Sequence, residues 1–360
     1  VAQLRIVHCA DVHLETTFPD RGGGARRKAL ADAFVRIVDE ALARHADVLT
    51  IGGDLYESER AGPQTARFLF EQFARFGKPV FVAPGNHDPH APSSLLARGD
   101  LPENVKIFNE AAWRAYPLAD DVTLFGFGHT PAEPGRPFAN ARFERDGVRL
   151  ALVHGSDEHR CPPGKRATAP FTKAEVEASG ATLLLTGHYH GGYVEHVKKR
   201  PVFAYPGSPE PIKAGEGDVH GALFVTVDHG AVSVKPIPIA RTRCVAATCD
   251  LDGVTNEQAA FERLEAALAA YGPSDYVRVR LGGGVAPGTR LDVPLMEERL
   301  GASLGSLAIV DATVAYDYDA IAAEPTVRGH VVRDLLAQGD AAREALRYAL
   351  AAFDGSEIAP

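Results

Sequence analysis

The chain has 360 residues, of which 45% are apolar, 24% charged and 8% aromatic. That is the composition of an ordinary globular protein rather than a disordered or fibrous one. At about 150 residues per domain the length predicts two domains, with room for a full core. The 38 Lys and Arg stand against 47 Asp and Glu, a net charge of −9, so no whole-molecule positive field draws a polyanion in. Any that binds must be held by a local basic patch, by cations or by a partner.

Cys9, Cys161, Cys244 and Cys249 are scattered and form no C-x-x-C pair. This argues against a disulfide scaffold or a zinc ribbon and for a reducing cytoplasm. No window approaches about 18 consecutive apolar residues, so no transmembrane helix is expected. The opening Val1–His8 reads as a strand rather than a secretory signal.

Along the chain, Leu4–His8 is a short apolar run ending in a polar cluster. Residues 25–44 carry Leu30, Phe34, Ile37, Val38, Ala41 and Leu42 at helical spacing. Val48–Ile51 is closed by Gly52-Gly53, a helix is expected over 63–76, and Pro79–Ala83 follows as a third strand. This β-α-β-α-β order predicts a buried, largely parallel sheet covered by helices. Strands then come with few long helices between them, at Val122–Phe127, Val148–Val153, Thr182–Thr186, Val202–Tyr205, Ala222–Val227 and 231–237. A second sheet packed on the first would explain them. From about 242 the character changes. Thr255–Gln258 fits a capping box for a helix running to Tyr271. Tyr276–Leu281 alternates as a strand, Leu307–Val310 and Thr313–Tyr316 make another, and helices at about 329–337 and 341–353 finish the chain. Gly22–Gly24 and Gly282–Gly284 read as exposed loops.

The chemistry lies at the C-terminal ends of the predicted strands, where ligands bind in open α/β sheets. Asp11-Val-His13 follows the first, Gly53-Asp54 the second and Gly85-Asn86-His87-Asp88 the third. His154-Gly155 and Gly187-His188-Tyr189-His190 follow two later strands. Carboxylates and imidazoles with one neutral oxygen donor, brought to one rim, are the composition of a two-metal centre. The adjoining glycines let short side chains reach an ion.

These motifs, D-x-H … G-D … G-N-H-[DE] … H … G-H-x-H, are present in full, and over about residues 4–235 the chain resembles the calcineurin-like dinuclear metallophosphoesterase superfamily. His8–Leu14, Gly53–Tyr56, Tyr205–Ser208 and the tail Thr326–Leu336 are similar to the SbcD nuclease family, including its YhaO-type members and the archaeal and eukaryotic double-strand-break repair counterparts. The resemblance implies an α/β, two-sheet metallophosphoesterase sandwich with helices on its outer faces over 1–240. A small C-terminal α+β accessory (capping) domain would occupy 241–360. It also implies one metal on Asp11, His13 and His190, a second on Asn86, His154 and His188, and Asp54 bridging the two. The metals would be two Mn2+, with Fe2+, Zn2+ or Mg2+ as alternatives. His87 would stabilise the transition state or protonate the leaving oxygen, and Asp88 would orient His87.

The implied activity is a manganese-dependent 3′–5′ DNA exonuclease with endonuclease capability, which cuts phosphodiester bonds by means of a hydroxide activated between the metals. It would act in double-strand-break repair, in the cytoplasm and away from membranes. DNA would be the substrate, and the protein would work as a homodimer beside an SbcC-type SMC-like ATPase. The chain itself has no G-x-x-x-x-G-K-[ST] phosphate loop. Glu57 stands where the repair nucleases often carry a His or Asp that positions substrate. His129, His159, Arg160, Lys165 and Arg166 are expected in loops flanking the rim, either holding phosphates or merely solvated. Arg26–Lys28 and Lys198–Arg200 are open to the same two readings. Trp113 reads as core. Two alternatives stand beside the nuclease: a phosphodiesterase or phosphatase for small substrates such as cyclic nucleotides, and a DNA-tethering scaffold subunit.

Overall fold

A computed structural model describes residues 3–18, 23–98, 100–162, 164, 166–216, 219–339 and 342–355. The chain divides into two units, Val1–Arg243 and Cys244–Pro360.

The first unit begins with β1 (Leu4–Cys9), α1 (Gly23–Ala43), β2 (Val48–Ile51), α2 (Pro63–Phe76), β3 (Val80–Val82) and β4 (Val105–Ile107). β1 to β4 are parallel neighbours. Their residues are almost all buried because the sheet is covered on both faces, which is why they read as apolar runs rather than alternations. Alternation survives in where they point. Leu4 and Ile6 enter the core between the two sheets, whereas Val7 and Cys9 meet Phe34, Ile37 and Phe73 of α1 and α2. α2 starts on Pro63, which has no N–H to lose there, and stops at Gly77, whose left-handed backbone lets its N–H close on Phe73 O.

β5 (Arg114–Ala119), β6 (Val122–Gly126), β7 (Val148–His154), α3 (Lys173–Ala178), β8 (Leu183–Gly187), β9 (Tyr193–Val197) and β10 (Arg200–Tyr205) follow. β11 (Gly221–Asp228) and β12 (Ala231–Pro238) then return to the first sheet. The sheet orders are β12-β11-β1-β2-β3-β4 and β5-β6-β7-β8-β10-β9. Leu124, Leu150, Leu152, Leu183 and Leu185 of the second sheet pack on Ile6, Val48, Phe81 and Val225 of the first, making the two-sheet α/β sandwich. The second sheet's other face is covered mainly by loop aromatics, Phe138, Phe143 and Phe171, with Trp113 packed against them and donating to Pro137 O.

The second unit holds β13 (Arg243–Asp250), α4 (Glu257–Leu268), β14 (Asp275–Gly282), β15 (Gly284–Val285), α5 (Val293–Gly301), β16 (Ser306–Asp311) and β17 (Val314–Ala315). Three helices close it: α6 (Tyr318–Ala322), α7 (Val327–Leu336) and α8 (Arg343–Phe353). β13, β14 and β16 form one sheet, on which Leu264 and Leu268 of α4 and Met296 and Leu300 of α5 pack.

Several local expectations change. The cap of α4 is Asn256, whose side chain takes the N–H of Ala259; Thr255 lies outside the helix. Leu307–Tyr316 is two strands in different sheets, and α5 carries little signal in the sequence because its short apolar stripe follows a Pro- and Gly-rich stretch. Gly22 lies outside the described residues, but Gly23 and Gly24 open α1, and Gly282 and Gly284 end and begin strands. Among the described residues no helix is long and apolar enough to cross a membrane.

Candidate metal centre

Strand register brings the motifs together. Cys9, Ile51 and Val82 pair across β1, β2 and β3, and His154 pairs with Gly187 across β7 and β8. The loops that follow therefore leave both sheets at a common rim. Asp11 N–H donates to Gly53 O and His13 N–H to Asp54 O, both at 3.0 Å, which stitches the first two loops side by side. The crossing is tight: a Cβ on Gly53 would lie 2.7 Å from His154 Nδ1, and one on Gly85 would lie 2.3 Å from Asp54 Oδ1. Asp11, His13 and Asp54 have φ of 53°, 50° and 51°, and His188 has 108°. Left-handed backbone at a non-glycine residue costs about 1–3 kcal/mol, so four such residues at one rim mark a place where aim matters more than stability.

The side-chain donors of Asp11, His13 and His190 lie within 4.8 Å of one another, as do those of Asp54, His154 and His188. Asp54 Oδ2 sits between the groups, 3.6 Å from His13 Nε2 and 3.2 Å from His154 Nε2. Asn86 Oδ1 is 3.0 Å from His154 Nε2.

Hydrogen bonds behind the imidazoles determine which nitrogens face inward. Glu57 Oε1 takes His13 Nδ1 at 2.8 Å, and Glu216 Oε1 takes His190 Nδ1 at 2.6 Å. The carbonyl of Gly52 takes His154 Nδ1 at 2.8 Å. An ionised carboxylate or a carbonyl can only accept, so each Nδ1 carries the proton and each neutral ring turns a bare Nε2 toward the centre. The bare Nε2 atoms of His13 and His190 then face each other at 3.2 Å, and that of His154 faces two oxygens. Lone pairs so placed repel unless a proton or a cation lies between them. The donor set thus fits a pair of divalent cations held by mixed N and O ligands.

The titration directions follow from the same crowding. Burial would lower His154, but the carboxylates of Asp54 and Asp11 raise it to about 9. Burial, with the neighbouring His154, lowers His188 to about 3. Burial works to raise Asp54, yet His154 and His13 hold it well below the usual carboxylate range. In Asp11 burial prevails and the shift is upward.

The comparison with known families bears directly on this centre. A family model described as calcineurin-like phosphoesterase matches residues 4–192, over half of the chain. The chain belongs to the calcineurin-like phosphoesterase family. It is therefore a metal-dependent phosphoesterase, and two divalent metals are the family's cofactors.

Among this phosphoesterase's relatives is the uncharacterized metallophosphoesterase YhaO of Bacillus subtilis, 27% identical over 313 residues, which span 82% of this chain and 75% of YhaO. The DNA double-strand break repair protein Mre11 of Methanopyrus kandleri is 26% identical over 261 residues, 64% of this chain and 55% of that protein. A probable cyclic nucleotide phosphodiesterase of Pseudoalteromonas is 24% identical over 246 residues, 64% of this chain and 86% of that protein.

The other expected site residues fall in different places. His87 stands at the rim with its side chain 44% exposed, and its Nδ1 is 2.8 Å from Glu57 Oε2. That hydrogen bond outweighs burial and raises the imidazole's pKa. Asp88 does not orient His87. It is buried, and its oxygens take the backbone N–H groups of Gly85, Asp54 and Leu55 at 2.7, 3.0 and 2.8 Å, bracing the loops instead. Burial and the neighbouring Asp54 push it up to about 6. Glu57 touches imidazoles rather than open space. Burial works to raise it, but the hydrogen bonds from His13 and His87 hold it far below the usual carboxylate range.

His129 is not a loop residue free for phosphate. It is 2% exposed, donates from Nε2 to His154 O at 2.7 Å, and supports the ligand strand from behind. His159 and Arg160 are exposed, on a short turn. Lys165 lies outside the described residues, and Arg166 pairs with Glu133. Arg26 is buried against Phe18 and bonds Ile212 O, so it is not free for DNA; Lys28 pairs with Asp32 one turn on. Lys198 and Lys199 form the turn between β9 and β10. Glu216 is the site residue that the sequence did not reveal. It sits 26 positions beyond its partner His190, outside every motif.

Proposed function

We propose that this phosphoesterase is a DNA nuclease that hydrolyses phosphodiester bonds with two manganese ions. Asp11, His13 and His190 would hold one ion and Asn86, His154 and His188 the other, with Asp54 shared. When bound, the ions supply charge stabilisation at the phosphoryl oxygens and a hydroxide nucleophile at neutral pH.

The protein's own contribution is orientation. Glu57 takes the Nδ1–H of His87 and raises its pKa, favouring the imidazolium, whose Nε2–H would then give the leaving oxygen a hydrogen bond or a proton. Asp88 braces the loops from which Asp54 and His87 project, through the N–H groups of Gly85, Asp54 and Leu55. The observation that carries the reading is that Asn86 and His87 are both exposed at the rim. The reactive edge lies open to a substrate that continues beyond one nucleotide. The likeness to an Mre11 repair protein supports DNA as that substrate. The resemblance of its motifs to the SbcD nuclease family further implies a homodimer working beside an SbcC-type ATPase on another chain.

A second reading has its own support. The Pseudoalteromonas relative is aligned over most of its length, and a net charge of −9 does not favour a polyanion. Manganese-loaded protein assayed on linear duplex DNA, single-stranded DNA and cyclic AMP, with His87→Ala as control, separates the two. DNA degradation lost in the variant establishes the nuclease. Cyclic AMP hydrolysis with inert DNA makes it a small-substrate phosphodiesterase. Binding of DNA without hydrolysis of either leaves a tethering subunit.

A further inference from the structure

Next to the ligand-bearing segment His188–His190 the first unit builds a braced turn, Asp157–Arg160, by an unusual number of side-chain contacts. Tyr189, which separates the two ligand histidines, donates from its hydroxyl to Asp157 O at 2.8 Å. Tyr193 donates to Asp157 Oδ2 at 3.0 Å. Asp157 N–H donates to the hydroxyl of Tyr205 at 2.9 Å, and that hydroxyl donates to Gly155 O at 2.7 Å. Asp157 Oδ1 takes the N–H of His159 at 3.1 Å. The three tyrosine rings pack together, with centroids 4.9 Å apart for Tyr193 and Tyr205 and 5.0 Å for Tyr189 and Tyr205. The Tyr189 ring also lies 5.4 Å from His188. The hydroxyl of Tyr189, the residue between the two ligand histidines, thus ties that segment to the turn at Asp157.

The charges on the turn are sorted. Glu158 is paired with Arg136, which bonds both of its oxygens at 2.6 and 3.0 Å and is shared with Glu175. Asp157 is buried, with both carboxylate oxygens taken. Arg160 remains exposed, and among the described residues it has no carboxylate partner. It is nevertheless not a loose side chain. Its guanidinium lies on the ring of Tyr193, 3.6 Å from the centroid. A guanidinium held over an aromatic face has its stem restrained, while its N–H donors, which lie in its own plane, stay free to bind a phosphate with two hydrogen bonds.

We infer that the Asp157–Arg160 turn is a phosphate-holding element for nucleic acid. In this role Arg160 grips a phosphate of the strand next to the one at the metal rim. The inference rests on the proposed action on DNA and names the group that holds the polymer. A chain with net charge −9 has no general field to retain DNA. A cation anchored on Tyr193, at the outer end of the ring series Tyr193–Tyr205–Tyr189 that reaches His188, supplies a local attraction that the composition otherwise lacks.

The test is fluorescence-anisotropy titration of the full chain with a labelled single-stranded 12-mer of mixed sequence over a range of salt. Wild type is compared with Arg160→Ala and Arg160→Lys, and the oligonucleotide cleavage constants are measured alongside. Arg160→Ala is expected to weaken binding about tenfold, irrespective of sequence, and to flatten the dependence of log K on log salt by about 0.7. Its cleavage defect falls mainly on KM. Arg160→Lys is expected to keep the salt slope but to lose part of the affinity, because it retains the charge without the fork. Unaltered affinity in Arg160→Ala, or weaker binding at the wild-type salt slope, overturns the inference while leaving the nuclease intact. Wild type that binds the 12-mer through Arg160 without cleaving it overturns the nuclease alone. Wild type that does not bind DNA overturns both.

Discussion

Glu57 holds His87. Oε2 of the carboxylate is 2.8 Å from Nδ1 of the imidazole, while Oε1 takes His13 Nδ1 at the same distance and also the hydroxyl of Thr16 at 3.0 Å. One side chain therefore sets the proton position on a candidate metal ligand and on the residue proposed to meet the leaving group.

Glu57→Ala is expected to lower turnover and metal affinity together, by about 10–100-fold, the usual cost of losing a partner behind a ligand histidine. Glu57→Gln is the more telling variant. Its amide oxygen can accept from only one imidazole, and its NH2 then meets the other Nδ1 and forces that ring into the opposite tautomer. Nitrogen NMR of the two histidines reads this directly. Unchanged tautomers in Glu57→Gln would contradict the shared-acceptor arrangement.

Glu216 fixes His190 with Oε1 and ties down its own loop by taking Ile212 N–H on Oε2 at 2.7 Å. Burial works to raise its pKa, but the bond from His190 carries it below the ordinary value. Glu216→Gln should weaken one of two bound metal ions by about tenfold and affect the other much less. Calorimetric titration with Mn2+ resolves the two steps, and equal weakening of both would count against the assignment of His190 to one ion.

Ion binding is also expected to appear as stability. Adding Mn2+ to chelator-treated protein at about 100 times its dissociation constant should stabilise the folded state by about 2.7 kcal/mol per site. Asp54→Asn removes the carboxylate placed between His13 and His154, so most of that gain and the hydrolytic activity should vanish while the far-ultraviolet dichroism is retained. Thermal melts with and without metal provide the comparison.

Away from the rim, Glu210 is buried with the Arg36 guanidinium against it. It also takes the backbone N–H groups of Arg241 and Thr242 at 3.0 and 3.1 Å and the Thr242 hydroxyl at 2.6 Å. Glu210→Ala strands a largely buried cation and two N–H groups, at a cost of about 3–5 kcal/mol. A shift of the first urea transition to lower denaturant measures it. A shift under about 1 kcal/mol would show that the loop relaxes to let water in.

The donors at the rim were legible in the sequence because each is local to a strand end. Asp11 and His13, Asp54, Asn86, His154, His188 and His190 all follow apolar runs, most beside a glycine, and a parallel sheet must deliver such positions to one edge. The helices over 25–44 and 63–76 were legible for the same kind of reason, since their apolar spacing is a property of the segment alone. Asp88 shows where local reading stops. Beside His87 in sequence, it looks like the partner of that imidazole, yet its side chain turns inward to three backbone N–H groups. The actual partner, Glu57, comes from the neighbouring strand's loop.

His129 is a second case: expected in a loop either holding phosphate or solvated, it is instead buried behind His154, whose carbonyl it bonds. Glu216 had no signature, because what identifies it is a distance to His190 across a loop closure. The residue types that can hold a metal, and the order in which strands present them, are properties of the sequence by itself. Which carboxylate backs which imidazole depends on strand register and on the direction each side chain leaves its loop. Those are set only when the two sheets pack, so they belong to the tertiary structure.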